Sequence, residues 1–188
     1  MIGETIIIGS DPWAGRLHGH LADKLRRDGH EVAEVNDSAD SRIPYYEIAR
    51  RLAVEVSQRG GPQDAERRVI GIVLCGTGMG VAMVANTFPG ISCAVCENSL
   101  AAHRARAFNN ANVLALGEYF TTPYVADEIV DCFLTTPFGD GVDADRAAEI
   151  RRWGEQVRRM EDRIFREDWA ARSVPDAVPP VETAGDRA

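Results

Sequence analysis

The stretch over residues 69–86 constrains the fold of this chain more than any other. It begins with a short apolar run, residues 69–74, that is typical of a buried strand. Glycines then follow at alternate positions: Gly76, Gly78 and Gly80. The sequence continues as V-A-M-V-A, which favours a buried helix over residues 79–86. We therefore predict a strand, a glycine-rich turn and a helix.

The glycine-rich turn has two interpretations. Alternating glycines let the backbone approach a ligand closely and present N–H groups to an anion. Cys75 ends the strand and faces the start of the helix, where a thiol is expected to have a lowered pKa. However, the turn is neither a G-x-G-x-x-G dinucleotide fingerprint nor a nucleotide P-loop. Glycines are common in such turns and a buried cysteine is usually a small apolar residue, so both interpretations stay open.

Apolar patterning along the chain predicts strands that alternate with helices. The predicted strands cover residues 5–10, 31–35, 69–74, 92–95 and 112–116. The predicted helices cover residues 14–28, 45–58, 79–86, 99–107 and 123–135. This alternation is typical of a parallel sheet with helices on both faces, in which ligands bind at the carboxyl ends of the strands. We expect Asp11, residues 75–80 and the loop at residues 108–110 to reach one such site.

The composition changes from residue 143 onward. Residues 144–171 are rich in Arg, Glu and Ala, with apolar residues such as Ile150, Trp153 and Val157 at helical spacing. This stripe is expected to pack on a partner subunit or on its own domain rather than on a cofactor. Residues 173–188 have the composition of a disordered tail. We predict one domain over residues 1–142, a helical extension over 143–172 and a tail over 173–188.

Composition and charge exclude several classes of function. The net charge of −8 and the pI near 5.0 argue against nucleic acid and anionic membranes as main partners. No apolar run approaches the roughly 20 residues of a membrane span, and the amino terminus lacks the basic region of a secretory signal. Cys93 and Cys96 lie in the run I-S-C-A-V-C, which alternates like a strand. Positions three apart in such a run face opposite sides, which disfavours a disulfide or a metal pair. These features predict a cytoplasmic protein with reduced cysteines.

The run C-G-T-G-M-G-V-A-M-V-A-N-T-F-P-G-I at residues 75–91 closely resembles the signature of the type B ribose-5-phosphate isomerase and galactose-6-phosphate isomerase family. Three further features fall in that family's order: I-G-S-D at residues 8–11, N-N-A-N-V-L-A-L-G at 109–117 and Arg146. The resemblance covers about residues 5–150. It implies a Rossmann-like (flavodoxin-like) three-layer α/β sandwich with a five-stranded parallel sheet. It also implies a homodimer or homotetramer with the active site at the subunit interface.

The family interconverts aldose and ketose phosphates through an enediol, without metal or cofactor. The resemblance therefore implies that Cys75, as a thiolate, removes the proton beside the carbonyl, with Thr77 acting at the reacting carbons. The backbone N–H groups of the glycine-rich turn would stabilise the charge that develops on oxygen. The resemblance also assigns substrate binding to the following residues: Asp11, Gly76, Gly78, Met79, Gly80, Asn109 and Arg146.

Asp11 and Asn109 also have ordinary structural interpretations. Asp is a common helix N-cap, and Asn is a common turn residue. Asp11 matches a family aspartate that holds a sugar hydroxyl, and Asn109 matches a family amide, so the resemblance favours a site role for both. Trp13, Tyr45 and Tyr46, with Phe108, either shape a tight pocket or belong to the core.

The departures from the family pattern concern the opening of a sugar ring and the binding of phosphate. Ribose-5-phosphate isomerases have a histidine, credited with opening the furanose ring, where this chain has Phe108. Pro12 replaces a frequent histidine and Val142 one of two late arginines, and the arginine after N-V-L-A-x-G is replaced near Tyr119. No histidine here matches a family position, and His103 fits a surface residue better than a substitute ring opener.

These departures point to an acyclic substrate. A four-carbon 4-phosphate cannot close a furanose through its phosphorylated hydroxyl, and relatives that isomerise tetrulose 4-phosphates share the loss of the histidine. We expect a sugar-phosphate isomerase of this kind, with phosphate held by Arg146 and by Arg16 or Arg106. The alternatives are ribose 5-phosphate or another cyclic substrate, and a sugar-phosphate-binding protein without activity. The retained thiol of Cys75 disfavours the last.

Overall fold

A computed structural model describes residues 4–36, 42–60 and 69–166. Its centre is a sheet of five parallel strands in the spatial order β2-β1-β3-β5-β4. The strands are β1 (Thr5–Ser10), β2 (Glu31–Glu34), β3 (Val69–Cys75), β4 (Cys93–Val95) and β5 (Val113–Gly117). Helices cover both faces of the sheet, so the predicted three-layer Rossmann-like sandwich is confirmed.

The helices also follow the predicted order. They are α1 (Gly15–Arg27), α2 (Tyr45–Arg59), α3 (Met79–Ala85), α4 (Ser99–Asn109), α5 (Pro123–Thr135) and α6 (Ala144–Arg166). Their bounds differ from the prediction by at most two residues, apart from the end of α6, because residues 167–171 lie outside the described part of the chain. The predicted tail at 173–188 also lies outside it.

Local sequence signals explain where several helices begin and end. Asn98 caps α4, because its Oδ1 accepts a hydrogen bond from the N–H of Ala101 at 2.9 Å. Thr122 caps α5 in the same way through Val125, and Pro123 occupies the first helical position. Gly29 follows α1 with a φ of +89°, a left-handed conformation that glycine adopts without strain.

The central strand β3 is buried along its whole length and divides the core into two clusters. Ile70, Ile72 and Leu74 face the layer of α1, α4 and α5. Val73 and Cys75 face the layer of α2 and α3. This alternation follows from the two-residue period of a strand, and it places the Cys75 side chain on the α2–α3 side.

The extension helix α6 packs mainly through its first turns. Ala147 and Ile150 are buried, whereas four apolar residues beyond them are exposed. Those exposed residues are Trp153, Val157, Met160 and Ile164. No helix within the described residues combines the length and apolar character needed to span a membrane.

The packing is tested by replacing two glycines with alanine. The two variants are expected to change the free energy of unfolding in opposite directions. A Cβ on Gly71 of β3 would lie 2.8 Å from Leu52 Cδ2 and 3.0 Å from Val113 Cγ2, so Gly71→Ala is expected to lower the free energy of unfolding by about 1–3 kcal/mol. A Cβ on Gly19 of α1 would meet nothing within 4 Å, so Gly19→Ala is expected to raise it by about 0.5–1 kcal/mol. Urea unfolding of both variants measures this, and equal shifts would contradict the packing described for β3.

Candidate active site

The glycine-rich turn joins β3 to α3 at the carboxyl edge of the sheet. Gly78 has a φ of +75°, and a Cβ there would lie 2.9 Å from the carbonyl carbon of Leu116, so glycine is required for two reasons. This conformation lets the N–H of Gly78 donate a hydrogen bond to Cys75 Sγ at 3.0 Å. This hydrogen bond fixes the position of the Cys75 sulfur against the turn.

Three other glycines make room for neighbouring groups. A Cβ on Gly76 would lie 2.8 Å from the ring of Tyr119, and a Cβ on Gly80 would lie 2.9 Å from the ring of Tyr45. A Cβ on Gly117, at the end of β5, would lie 2.5 Å from the carbonyl carbon of Thr77. The turn is therefore enclosed by two aromatic rings and crosses the end of β5 at close range.

The turn presents donors that remain available. In the described part of the chain, no hydrogen bond is formed by the backbone N–H groups of Gly76, Thr77 and Gly80. Thr77 Oγ1 accepts a hydrogen bond from the N–H of Met79 at 3.3 Å, which leaves its hydroxyl hydrogen free to donate. Cys75 is 5% exposed, so its thiol, the free N–H groups and the Thr77 hydroxyl lie in one partly enclosed site.

Asp11 lies beside Cys75 because β1 and β3 are neighbours and the N–H of Asp11 donates to the carbonyl of Leu74 at 3.1 Å. Its Oδ1 accepts a hydrogen bond from the N–H of Trp13 at 2.9 Å and caps a short 3₁₀ turn, Pro12–Ala14. The side chain therefore has the N-cap role that the sequence analysis gave as its alternative. Oδ2 forms no hydrogen bond with the described residues, so it can still bind a ligand.

Burial raises the pKa of Asp11 above its ordinary value of 3.8. The hydrogen bond from Trp13 opposes this shift, and the nearby charge of Glu118 adds to it. Glu118 itself accepts hydrogen bonds from Arg16 Nε and from the N–H of Leu17, both at 3.0 Å. Arg16, one of the expected phosphate ligands, thus lies at this edge with its side chain 87% exposed and paired with a carboxylate.

The expectation that the loop at residues 108–110 reaches the same edge within one chain is wrong. Asn109 ends α4 and precedes β5, so it lies at the amino edge of the sheet. Cys75 pairs with Gly117 at the opposite end of β5. At about 3.3 Å per residue, a strand of this length separates the two edges by roughly 15 Å. The loop before a parallel strand cannot meet the loop after its neighbour.

Arg146 also lies on the amino-edge side. It is in the first turn of α6, and the segment before α6 is joined to the end of α4 by a 2.8 Å hydrogen bond from Gly139 N to Ala107 O. The Arg146 guanidinium pairs with Glu149 and lies 4.8 Å from the centre of the Trp153 ring. Trp153 and Asn109 line one cavity of about 460 Å³. Asn109 and Arg146 therefore belong to one region, apart from Cys75.

The other residues that the sequence analysis considered, Arg106, His103 and Phe108, each contact neighbouring residues of the fold. Arg106 is 5% exposed and donates hydrogen bonds to Asn110 Oδ1 and to the carbonyl of Ala111, so its expected role as a phosphate ligand is wrong. His103 Nε2 lies 2.8 Å from Asp140 Oδ2 and connects α4 to the segment before α6. The guanidinium of Arg104 lies 5.0 Å from the centre of the Phe108 ring.

Within the described residues, no group of three or more His, Cys, Asp or Glu side chains could hold a metal ion. The cysteines are free, and burial raises the pKa of both Cys93 and Cys96 to about 12. Tyr45, for which the sequence analysis gave a pocket or a core position, contacts Gly80 of the turn. Two other groups close to the site were given no site role in the sequence analysis: Glu118 and Tyr119. The available signal for the last two was their position directly after β5, at the edge where Cys75 ends β3.

Comparisons with known proteins agree with the fold. The model of the Ribose/Galactose Isomerase family matches residues 6–150. The chain is 32% identical to the 4-deoxy-4-sulfo-D-erythrose isomerase of Clostridium sp. (strain MSTE9), over 86% of this chain and 98% of the relative. It is 35% identical to the D-erythrulose-4-phosphate isomerase of Pectobacterium atrosepticum, over 78% and 92%. The solved ribose-5-phosphate isomerase B from Mycoplasma genitalium with bound ribulose-5-phosphate is 28% identical, with a TM-score of 0.73 over 86% and 99%.

Asp11 is expected to lower stability in its ionised form. Because its pKa is raised on folding, the folded state binds the proton more tightly than the unfolded state, and ionisation destabilises the fold above both pKa values. Asp11→Asn keeps the acceptor for Trp13 and should unfold at higher urea than the wild type at about pH 7. The difference should shrink as the pH falls towards 3.8. Asp23→Asn, an exposed change on α1, is the control, and a less stable Asp11→Asn protein at neutral pH would contradict this account.

Proposed function

The chain belongs to the ribose/galactose isomerase family, and on that premise we propose that it is a cofactor-independent aldose–ketose isomerase. The substrate we propose is a short acyclic sugar phosphate such as a tetrulose 4-phosphate. The observation that carries the proposal is the turn after β3, where the Cys75 thiol and free backbone N–H donors occupy one partly enclosed place. Isomerisation moves protons within one molecule, so it requires no co-reactant.

The proposed chemistry uses each group of the turn once. Cys75, as a thiolate, removes the proton from the carbon beside the carbonyl and returns it to the neighbouring carbon. The negative charge that develops on oxygen is bound by the N–H groups of Gly76, Thr77 and Gly80. The substrate's hydroxyl proton moves from the oxygen on one reacting carbon to the oxygen on the other, and the Thr77 hydroxyl bonds to both oxygens during this transfer. Asp11 Oδ2 accepts a hydrogen bond from another substrate hydroxyl.

Two observations favour a short acyclic substrate. Phe108 has an aromatic ring packed beside Arg104, so it offers no acid or base for opening a sugar ring. A relative that is 35% identical is a D-erythrulose-4-phosphate isomerase. A cyclic substrate such as ribose 5-phosphate, for which His103 would be the first candidate ring opener, is the alternative that the experiment below decides.

We further propose that the enzyme is a homodimer in which each active site is shared. Asn109 and Arg146 lie at the opposite edge of the sheet from Cys75, so they can join its site only if a second copy supplies them. Exposed apolar side chains surround the Cys75 edge, which is typical of an interface. They include Trp13, Met79, Met83, Tyr119 and Phe120. A homotetramer would contain the same contact between two subunits.

We also place the protein in the cytoplasm, in keeping with its free cysteines.

The substrate and the base are tested together. The purified protein, without added metal, should turn over D-erythrulose 4-phosphate with a higher kcat/KM than ribose 5-phosphate. Cys75→Ser should lower kcat by about 10²–10⁴-fold, because it removes the general base, while ligand affinity changes little. Cys132→Ser, on α5 away from the turn, is the matched control. Full turnover by Cys75→Ser would show that the base is another group, and a preference for ribose 5-phosphate would overturn the acyclic substrate.

The shared site is tested by mixing inactive variants. Cys75→Ala and Asn109→Ala chains are co-expressed, so that half of the dimers carry one chain of each kind. In such a dimer one site contains both substitutions and the other contains neither, so the mixture should recover about a quarter of wild-type activity if a two-fold dimer shares its sites. Cys75→Ala mixed with Thr77→Ala is the control, since both residues lie in the same half and no intact site can form. Equal recovery in both mixtures, or none in the first, would contradict a shared site.

A further inference from the structure

The aromatic ring of Tyr119 is positioned by the same hydrogen bonds that position the Cys75 turn. The N–H of Glu118 donates to the carbonyl of Cys75, and the N–H of Tyr119 donates to the carbonyl of Gly76, both at 3.0 Å. The N–H groups of Phe120 and Thr121 close the turn on Gly117. Tyr119 is therefore attached directly to the backbone of the turn.

The hydroxyl-bearing end of the Tyr119 ring covers Gly76. A Cβ on Gly76 would lie 2.8 Å from Tyr119 Cε2 and 3.0 Å from Cζ, but 3.4 Å from Cδ2. The side chain is otherwise open to solvent, with 62% of the residue exposed, and its hydroxyl bonds to no described residue. The ring thus occupies space directly beside Cys75 without being needed to fill the core.

Tyr119 also lines a cavity of about 170 Å³. The other lining residues are Arg16, Leu17, Glu118, Phe120, Thr121, Thr122 and Pro123. The same ring thus contacts Gly76 of the turn and forms part of the wall of this cavity. The cavity walls offer polar groups, including the Arg16–Glu118 pair, that suit an additional hydroxyl-bearing carbon.

The other end of the turn is closed differently. The Tyr45 ring covers Gly80 and is supported edge-to-face by Tyr46, with ring centres 5.6 Å apart. Loss of the Tyr119 ring, by contrast, would open the turn into an existing cavity. Of the two rings, Tyr119 is therefore the one whose removal adds usable length to the site.

We propose that Tyr119 determines substrate length, because its ring excludes sugar phosphates longer than four carbons from the Cys75 site. This inference rests on the proposed function. Tyr119 contacts the turn at Gly76, and its hydroxyl forms no hydrogen bond with a described residue. The proposed effect of Tyr119 is steric, so its ring and not its hydroxyl must exclude the longer sugar phosphates.

The test compares two ketoses that are both acyclic, D-erythrulose 4-phosphate and D-ribulose 5-phosphate, so ring opening does not enter. Tyr119→Ala should raise the ratio of kcat/KM for the five-carbon substrate over the four-carbon substrate by about tenfold or more, the discrimination expected for one carbon unit. Tyr119→Phe keeps the ring and should keep the wild-type ratio. Tyr124→Ala removes a more exposed tyrosine nearby and should also keep it.

An unchanged ratio in Tyr119→Ala, or an equal shift in Tyr119→Phe, would overturn the inference. If Tyr119→Ala does not fold, as judged by its thermal melt, Tyr119→Leu replaces it. Calorimetric binding of the unreactive acids erythronate 4-phosphate and ribonate 5-phosphate gives the same ratio without turnover. A wild-type protein that turns over neither ketose would refute the proposed function, whereas the binding ratio would still support or overturn the role of Tyr119.

Discussion

The close crossing of the β3–α3 turn over the end of β5 is the constraint on which the site depends. The carbonyl carbon of Thr77 lies only 2.5 Å from the position of a Cβ on Gly117, and Gly78 meets the backbone of Leu116 in the same way. Any side chain at either glycine would separate the two strands' ends. Because the crossing holds, Gly78 takes its left-handed conformation and its N–H reaches Cys75 Sγ. The two glycines are therefore required first because no side chain fits between the turn and the end of β5. The orientation of the backbone N–H donors depends on this close approach.

Asp11 shows that this edge is arranged at the expense of stability. A buried carboxylate beside Glu118 is disfavoured in its ionised form, which the raised pKa expresses directly. An asparagine would satisfy the same N-cap without a charge. The fold alone therefore gives no reason for a carboxylate at this position, and a ligand hydroxyl at Oδ2 would supply one.

Much of the fold could be predicted because local and overall signals agree. The β-branched runs of β1 and β3 and the capped starts of α4 and α5 specify the elements, and their alternation specifies a parallel sheet. The placement of Asn109 failed for a reason already contained in that topology, since a loop before a parallel strand lies at the amino edge. The burial of Arg106 and the ring of Tyr119 over Gly76 could not be predicted, because helix facing and side-chain direction are decided by tertiary packing.

The proposed division of the site between two edges has a consequence for specificity. A strand is stiff, so β5 keeps the Cys75 region and the Asn109 region apart in every copy, and in the proposed homodimer they meet through a second subunit. Each half can then change without disturbing the other. In the proposed enzyme, Phe108 removes ring opening in one half, whereas Tyr119 limits chain length in the other. Both filters select the same short, acyclic substrate, although no residue of one filter contacts the other within a single chain.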